Sequence, residues 1–263
     1  MIKAILFDIE GTLVKDKRYQ AVPGAVEFVR ARRAGGVALR LITNNTTDRP
    51  EEIVRKLRDT GFDVRVDELF ACTTAAIEAL AARGLRRCYL IGTPPLRDML
   101  RDAGLALVDS PDVEAVVVGH DPALTYAMLR TATQAIVEHG ALLLALHRNR
   151  VFHDDRHQLG PSAGATVAAL AYAASVEPLV VGKPSPDFYR QALASLGVSV
   201  EQTIVVSDDP FADLAGAKRL GLRTAFVLCG AYGDAAVLER LPPEERPELV
   251  ALDYDELARR WPE

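Results

Sequence analysis

Ile2-Lys3-Ala4-Ile5-Leu6-Phe7-Asp8-Ile9-Glu10-Gly11-Thr12 opens the chain with an apolar run that ends abruptly in two acids and a glycine. A short β-branched run of this kind predicts a strand from Ile2 to Phe7. A helical pattern follows near Ala25 to Arg33, and a second apolar run extends from Val37 to Ile42. Pro50 followed by Glu51 and Glu52 marks a helix start, because proline suits the first turn and acids favour the positive end of the helix dipole; Gly61 closes that helix. The alternation recurs as Cys88 to Ile91, Ala115 to Val118 and Leu142 to Leu146, with helical stretches ending in Gly84, Gly104 and Gly140. The last third reads as Leu179 to Val181, a helix from Pro186 to Leu196, Thr203 to Val206, a helix through Ala212 to Leu220, and Arg223 to Leu228. Strand and helix in alternation predict an α/β fold with a parallel, Rossmann-like doubly wound sheet. The middle strands form a second sheet, so the expected division is a core over 1–76 and 178–263 with an insertion over 77–177.

The bulk properties exclude several function classes. With 263 residues, 49% hydrophobic and 25% charged, the chain can bury one large core or two modest ones. A net charge of -5 with interleaved signs argues against nucleic acid as a partner. Cys72, Cys88 and Cys229 are odd in number and far apart, which points to a reducing compartment and hence the cytoplasm. The apolar start is broken by Asp8 and Glu10, unlike a signal peptide. The longest nearly uncharged run, Ala163 to Val176, is shorter than the roughly 20 residues of a membrane span and reads as a buried helix.

Four segments carry chemistry. Asp8 and Glu10 follow the first strand, where ligands bind in open α/β sheets. The second strand delivers Thr43-Asn44-Asn45, whose hydroxyl, amide and backbone N–H groups suit phosphate oxygens, although the same residues also form turns and caps. Lys183 sits between an apolar strand and the turn Pro184-Ser185-Pro186, with Pro184 driving it toward extended geometry. Thr203 to Val206 ends in Ser207-Asp208-Asp209, and Asp213 follows in the next helical turn; Asp209 reads as a helix-terminal charge. If these strands are neighbours, Asp8, Glu10, Asp208 and Asp213 share a crevice with one cation, Lys183, an arrangement that a hard divalent ion resolves. Oxygen ligands without a Cys/His set suit Mg2+ rather than zinc.

In this order the four segments, Asp8-Ile9-Glu10-Gly11-Thr12, Thr43-Asn44-Asn45, Lys183-Pro184 and Asp208-Asp209 with Asp213, resemble the four motifs of the haloacid dehalogenase superfamily. The insertion resembles the α/β cap of its class IIA branch, of nitrophenyl-phosphatase type, and Val180-Val181-Gly182-Lys183-Pro184-Ser185-Pro186 is typical of that branch. The Asp-Asp form of the last motif is similar to that of the group containing phospholysine phosphohistidine inorganic pyrophosphate phosphatase. The resemblance implies a phosphatase acting on small phosphorylated metabolites. Asp8 would be the nucleophile, Thr43 and Lys183 would stabilise the transferring phosphoryl group, and Mg2+ would bridge Asp8, Asp208 and phosphate, with the main-chain carbonyl of Glu10 as a further ligand. A homodimer through the cap is compatible with it.

The chain departs from the family pattern at three places. Glu10 stands where most family phosphatases have Asp as general acid and base; its carboxyl reaches up to about 1.5 Å farther, and misplacement by about 1 Å can cost on the order of a hundredfold in rate. A phospho-ligand-binding or regulatory module without turnover is therefore a second expectation. Ser207 replaces the usual Gly, and Leu146-His147-Arg148-Asn149-Arg150 replaces the Asn-Pro-Asp of the cap. Outside the motifs, His153, Asp154, Asp155 and His157 read as a polar hairpin rather than a metal set, and Gly160-Pro161-Ser162-Ala163-Gly164 as a helix entry rather than a nucleotide loop. A receiver domain, which also combines Asp, Thr and Lys, places its acidic pair before the phosphorylated Asp and would leave half the chain unexplained.

Overall fold

The computed structural model describes residues 1–15, 18–153, 158–194 and 196–262, with His153 described through its backbone. The chain forms two compact units: 1–43, 50–70 and 183–263 make the first, and 44–49 with 71–182 the second. Their joints at 70/71 and 182/183 compare with the expected 76/77 and 177/178.

The first unit is built on a six-stranded sheet in the order Leu249–Ala251, Arg223–Val227, Thr203–Ser207, Ala4–Asp8, Ala38–Thr43, Leu69–Ala71. The first five pair in parallel. Ala4–Asp8 is buried throughout, as its uninterrupted apolar run dictates for a strand covered on both faces. Around it packs a core that includes Ile5, Phe7, Phe28, Leu41, Ile53, Leu57, Val206 and Tyr254. The helix Pro50–Asp59 starts at its proline, carries Glu51 and Glu52 in its first turn and buries Ile53, Val54 and Leu57 along one stripe. Strand order reverses between Ala4–Asp8 and Thr203–Ser207, which makes their carboxyl ends a topological switch point. Register sets the level of the functional residues there: Phe7 lies opposite Val206 and Asp8 opposite Ile42.

The second unit carries a five-stranded sheet in the order Leu179–Val180, Leu142–Ala145, Ala115–Val118, Arg87–Ile91, Ala106–Leu107, with parallel pairing throughout. Leu179–Val180 pairs with Leu144 and Ala145, so this short strand belongs to the inserted sheet and not to the core it was expected to resume. Val151–His153 and Leu159–Pro161 pair antiparallel as a hairpin. The metal set weighed at His153, Asp154, Asp155 and His157 lies outside the described side chains. Ala163–Ala174 is a helix, but only Ala163, Val167 and Leu170 are buried and Tyr172 is 92% exposed, so the uncharged run covers the sheet with one face rather than being enclosed. Among the described residues no helix is long and apolar enough to cross a membrane.

Candidate active site

The carboxyl ends of the central core strands gather Asp8, Glu10, Thr43, Lys183, Asp208 and Asp213. Asp8 closes its strand with 6% of its surface exposed, and Lys183, Asp208 and Asp213 are each 3% exposed. Lys183 Nζ is ion-paired with Asp8 Oδ1 and, at 3.0 Å, with Asp213 Oδ2. Thr12 ties the two flanking strands together: its Oγ1 lies 3.3 Å from Asp8 Oδ2 and 3.1 Å from Asp208 Oδ1, and it accepts the backbone N–H of Asp208 at 3.0 Å. The other Asp208 oxygen accepts the N–H of Ala231 at 2.6 Å. On the opposite side, Thr43 Oγ1 donates to Glu10 Oε2 at 3.3 Å.

Close backbone approach makes this packing dependent on two glycines. Gly11 adopts a φ of +91°, a region that disfavours side chains, and a Cβ there would lie within 3.0 Å of the Asp208 carboxylate. A Cβ on Gly230 would come as close to Asp208 Oδ2 and to the carbonyl of Gly11. Cys229 lies beside them with Sγ 3.5 Å from the Gly11 carbonyl; burial and then Asp208 push its thiol up to about 12, so it is a weak donor rather than a nucleophile.

The electrostatics follow from burying acids together. Burial pushes the Asp8 carboxyl well above the usual carboxylate range, Lys183 pulls it down, and Asp213, Asp208 and Glu10 push it up again. Burial alone would depress Lys183, but Asp213 and Asp8 outweigh it and hold the ammonium charged. Burial raises Asp208 to about 6 despite the stabilising N–H of Ala231.

Magnesium fits this donor set on that observation: two buried carboxylates, Asp8 and Asp208, share a single hydroxyl and resist ionisation together, and their oxygens are hard ligands. Each of the four acids has its own hydrogen-bond partners at these strand ends. Among the described residues no three His, Cys, Asp or Glu side chains form a ligand cluster. Asp213 Oδ2 is turned to Lys183 and to the hydroxyl of Ser207 at 2.5 Å, and Glu10 Oε2 to Thr43. Asp209 caps the following turn, accepting the N–H groups of Phe211 and Ala212 at 2.9 and 2.8 Å.

Asn44 and Asn45 follow Thr43 directly and are counted with the second unit. There Asn44 Nδ2 donates to Asn149 Oδ1 at 3.3 Å. Asn45 Oδ1 accepts from Thr47 and Asp48 and closes the turn, the ordinary role of asparagine after a strand. His147 is buried, with Nδ1 accepting the N–H of Asn149, while Arg148 is exposed. The bridging role of Thr12, the Ser207 hydroxyl and the Gly230 approach are contacts that the motif spacing did not disclose. Thr12 carried a signal as a hydroxyl four residues after the strand-end acid, whereas Gly230 carried none.

Comparison with known proteins agrees along the whole chain. A family model described as haloacid dehalogenase-like hydrolase matches residues 5–106, and one described as HAD-hydrolase-like matches 180–257. The haloacid dehalogenase-like hydrolase domain-containing protein 2 of Bos taurus is 34% identical over 234 residues, covering 88% of this chain and 86% of its own length. The phospholysine phosphohistidine inorganic pyrophosphate phosphatase of Homo sapiens is 30% identical over 262 residues, covering 98% and 92%. Among solved structures, 4-nitrophenylphosphatase from Thermotoga maritima superposes with a TM-score of 0.88 at 28% identity, covering 98% of this chain and 97% of that one. The glycerol phosphate phosphatase of Mycobacterium tuberculosis, solved in complex with magnesium, gives 0.84 at 27% identity, covering 97% and 77%.

Proposed function

Because this chain belongs to the haloacid dehalogenase-like hydrolase family, we propose that it is a magnesium-dependent phosphatase that transfers the phosphoryl group of small phosphorylated metabolites to Asp8 and then to water. The observation that carries it is the buried Asp8 carboxylate held between Lys183 and a hydroxyl shared with Asp208. An oxygen of Asp8 attacks phosphorus as the ester bond to the leaving oxygen breaks, and Glu10 gives that oxygen a proton. Glu10 then takes a proton from water, which cleaves the aspartyl-phosphate and restores Asp8. Lys183 and the Thr43 hydroxyl offset charge on the phosphoryl oxygens. Magnesium, held by Asp8, Asp208 and the Glu10 carbonyl, would neutralise the remaining charge. Asp213 serves as the mount of Lys183 rather than as a ligand.

The test is steady-state release of phosphate from p-nitrophenyl phosphate, sugar phosphates, nucleotides, pyrophosphate and phospho-amino acids, with and without magnesium. Tight phosphate binding without turnover on any of them would favour the binding module that Glu10 suggests. The substrate classes named for the relatives, phospholysine, phosphohistidine and pyrophosphate, head that screen.

Glu10→Asp shortens the acid by one methylene. It should raise turnover of alkyl phosphates about tenfold and of p-nitrophenyl phosphate much less, because a good leaving group needs little protonation. Equal or lower rates on the alkyl esters would mean that Glu10 is already seated for proton transfer.

Gly230→Ala places a methyl group where Asp208 and the Gly11 carbonyl already stand. Turnover should fall at least tenfold with a higher half-saturating magnesium concentration, since displacement by about 1 Å has effects of this order. A wild-type magnesium titration curve would show that the loop yields instead.

A further inference from the structure

We infer that Ser207 and Tyr189 are positioning residues that act on Lys183 through Asp213, one gripping its carboxylate and the other its backbone. The Ser207 hydroxyl donates to Asp213 Oδ2 at 2.5 Å, the same oxygen that receives Lys183 Nζ at 3.0 Å, and itself accepts the N–H of Asp209 at 3.0 Å. The fully buried Tyr189 donates its hydroxyl to the main-chain carbonyl of Asp213 at 2.7 Å. Asp213 lies in a wide π-type turn over Pro210–Leu214, where its own N–H bonds the carbonyl of Asp209 at 3.2 Å, and the two external bonds add a hold on its carbonyl and on its carboxylate.

The lysine end of the assembly is fixed from the same segment. A Cβ on Gly216 would come within 3.0 Å of the carbonyl and the side chain of Pro184, so the helix Ala215–Arg219 packs directly on the residue after Lys183. Lys183 is thus referenced to the stretch 207–216 at both its backbone and its ammonium. Without the Ser207 hydroxyl, Asp213 Oδ2 keeps one partner in a water-poor site, and the lysine is free to settle toward Asp213 and away from Asp8. A glycine at position 207 has no group to prevent this; the serine supplies one.

The inference rests on the phosphatase proposal for its kinetic readout, and phosphate binding gives it a second one. With magnesium present, Ser207→Ala should lower kcat for p-nitrophenyl phosphate about tenfold, leave KM and half-saturating magnesium within about twofold, and weaken inorganic phosphate binding several-fold by calorimetry. Tyr189→Phe, which keeps the ring, should do the same by an independent route. In an Asp213→Asn background neither substitution should have a further effect, because the path is already cut. Full additivity in that background, or a shift confined to the magnesium requirement, would overturn the inference and assign Ser207 to Asp208 instead. Unchanged kcat and phosphate affinity in both single variants would overturn it as well. If the wild-type protein binds phosphate but turns nothing over, the phosphatase proposal fails, and the binding cycle alone decides whether these two hydroxyls seat the lysine.

Discussion

Asp8→Asn is expected to abolish magnesium-dependent phosphate release, with kcat reduced at least about a thousandfold, while the protein stays folded. The amide has nearly the shape of the carboxylate; its oxygen can still accept from Lys183 and its NH2 can donate to Thr12 Oγ1, so the loss isolates nucleophilicity from packing. Lys183 retains Asp213 at 3.0 Å, so the substitution does not strand a buried cation. Burial also opposes the ionisation of Asp8, so replacing it removes an electrostatic cost. Melting should therefore be unchanged or raised, and no phosphorylated protein should be trapped on rapid acid quench. Turnover within tenfold of wild type, measured with freshly purified protein, would place the nucleophile elsewhere.

That result would confirm an inference drawn from local sequence, and the site divides sharply into what local sequence can and cannot express. Ala4–Asp8, Ala38–Thr43 and Thr203–Ser207 were legible because each is a mainly apolar run closed by a polar group, and parallel strands deliver their last residues to one edge. Asp209 was legible as a helix-terminal charge for the same local reason. Leu179–Val180 was not, because two apolar residues before Lys183 fit either sheet, and only pairing with Leu144 and Ala145 decides between them. For the four acids, sequence gives sign and order but not hydrogen bonds. Asp213 Oδ2 meets two partners, Lys183 and Ser207, of which only the lysine is expected to compete for an acid. Gly230 lies beyond any motif, and its reason for being glycine is a carboxylate 22 positions earlier that folds against it.

Asp208→Asn should separate stability from function. In the folded, metal-free protein burial raises the Asp208 carboxyl from 3.8 to about 6. A carboxyl whose folded pKa is raised binds its proton more tightly in the folded state, so its contribution is neutral below the unfolded value and becomes a penalty as pH climbs from about 4 through about 6. Two pKa units correspond to about 3 kcal/mol, present in full above that window. An amide carries no such penalty and fits the contacts: its oxygen can accept the N–H of Ala231, its NH2 can meet Thr12 Oγ1, and the Thr12 hydroxyl is left to Asp8. Without magnesium at pH 7.5 the variant should melt higher than wild type, on the order of 5–10 °C, and the gain should vanish near pH 4. Adding magnesium should reverse the order, because the ion binds the folded wild type and relieves its crowded acids, whereas the variant has lost a charged ligand. Catalysis should fall with the metal, by at least about a hundredfold. A variant that melts below wild type in metal-free buffer at pH 7.5 would mean that the hydrogen bonds of Asp208 outweigh the cost of its burial. The site would then be organised by those bonds rather than by repulsion awaiting a cation.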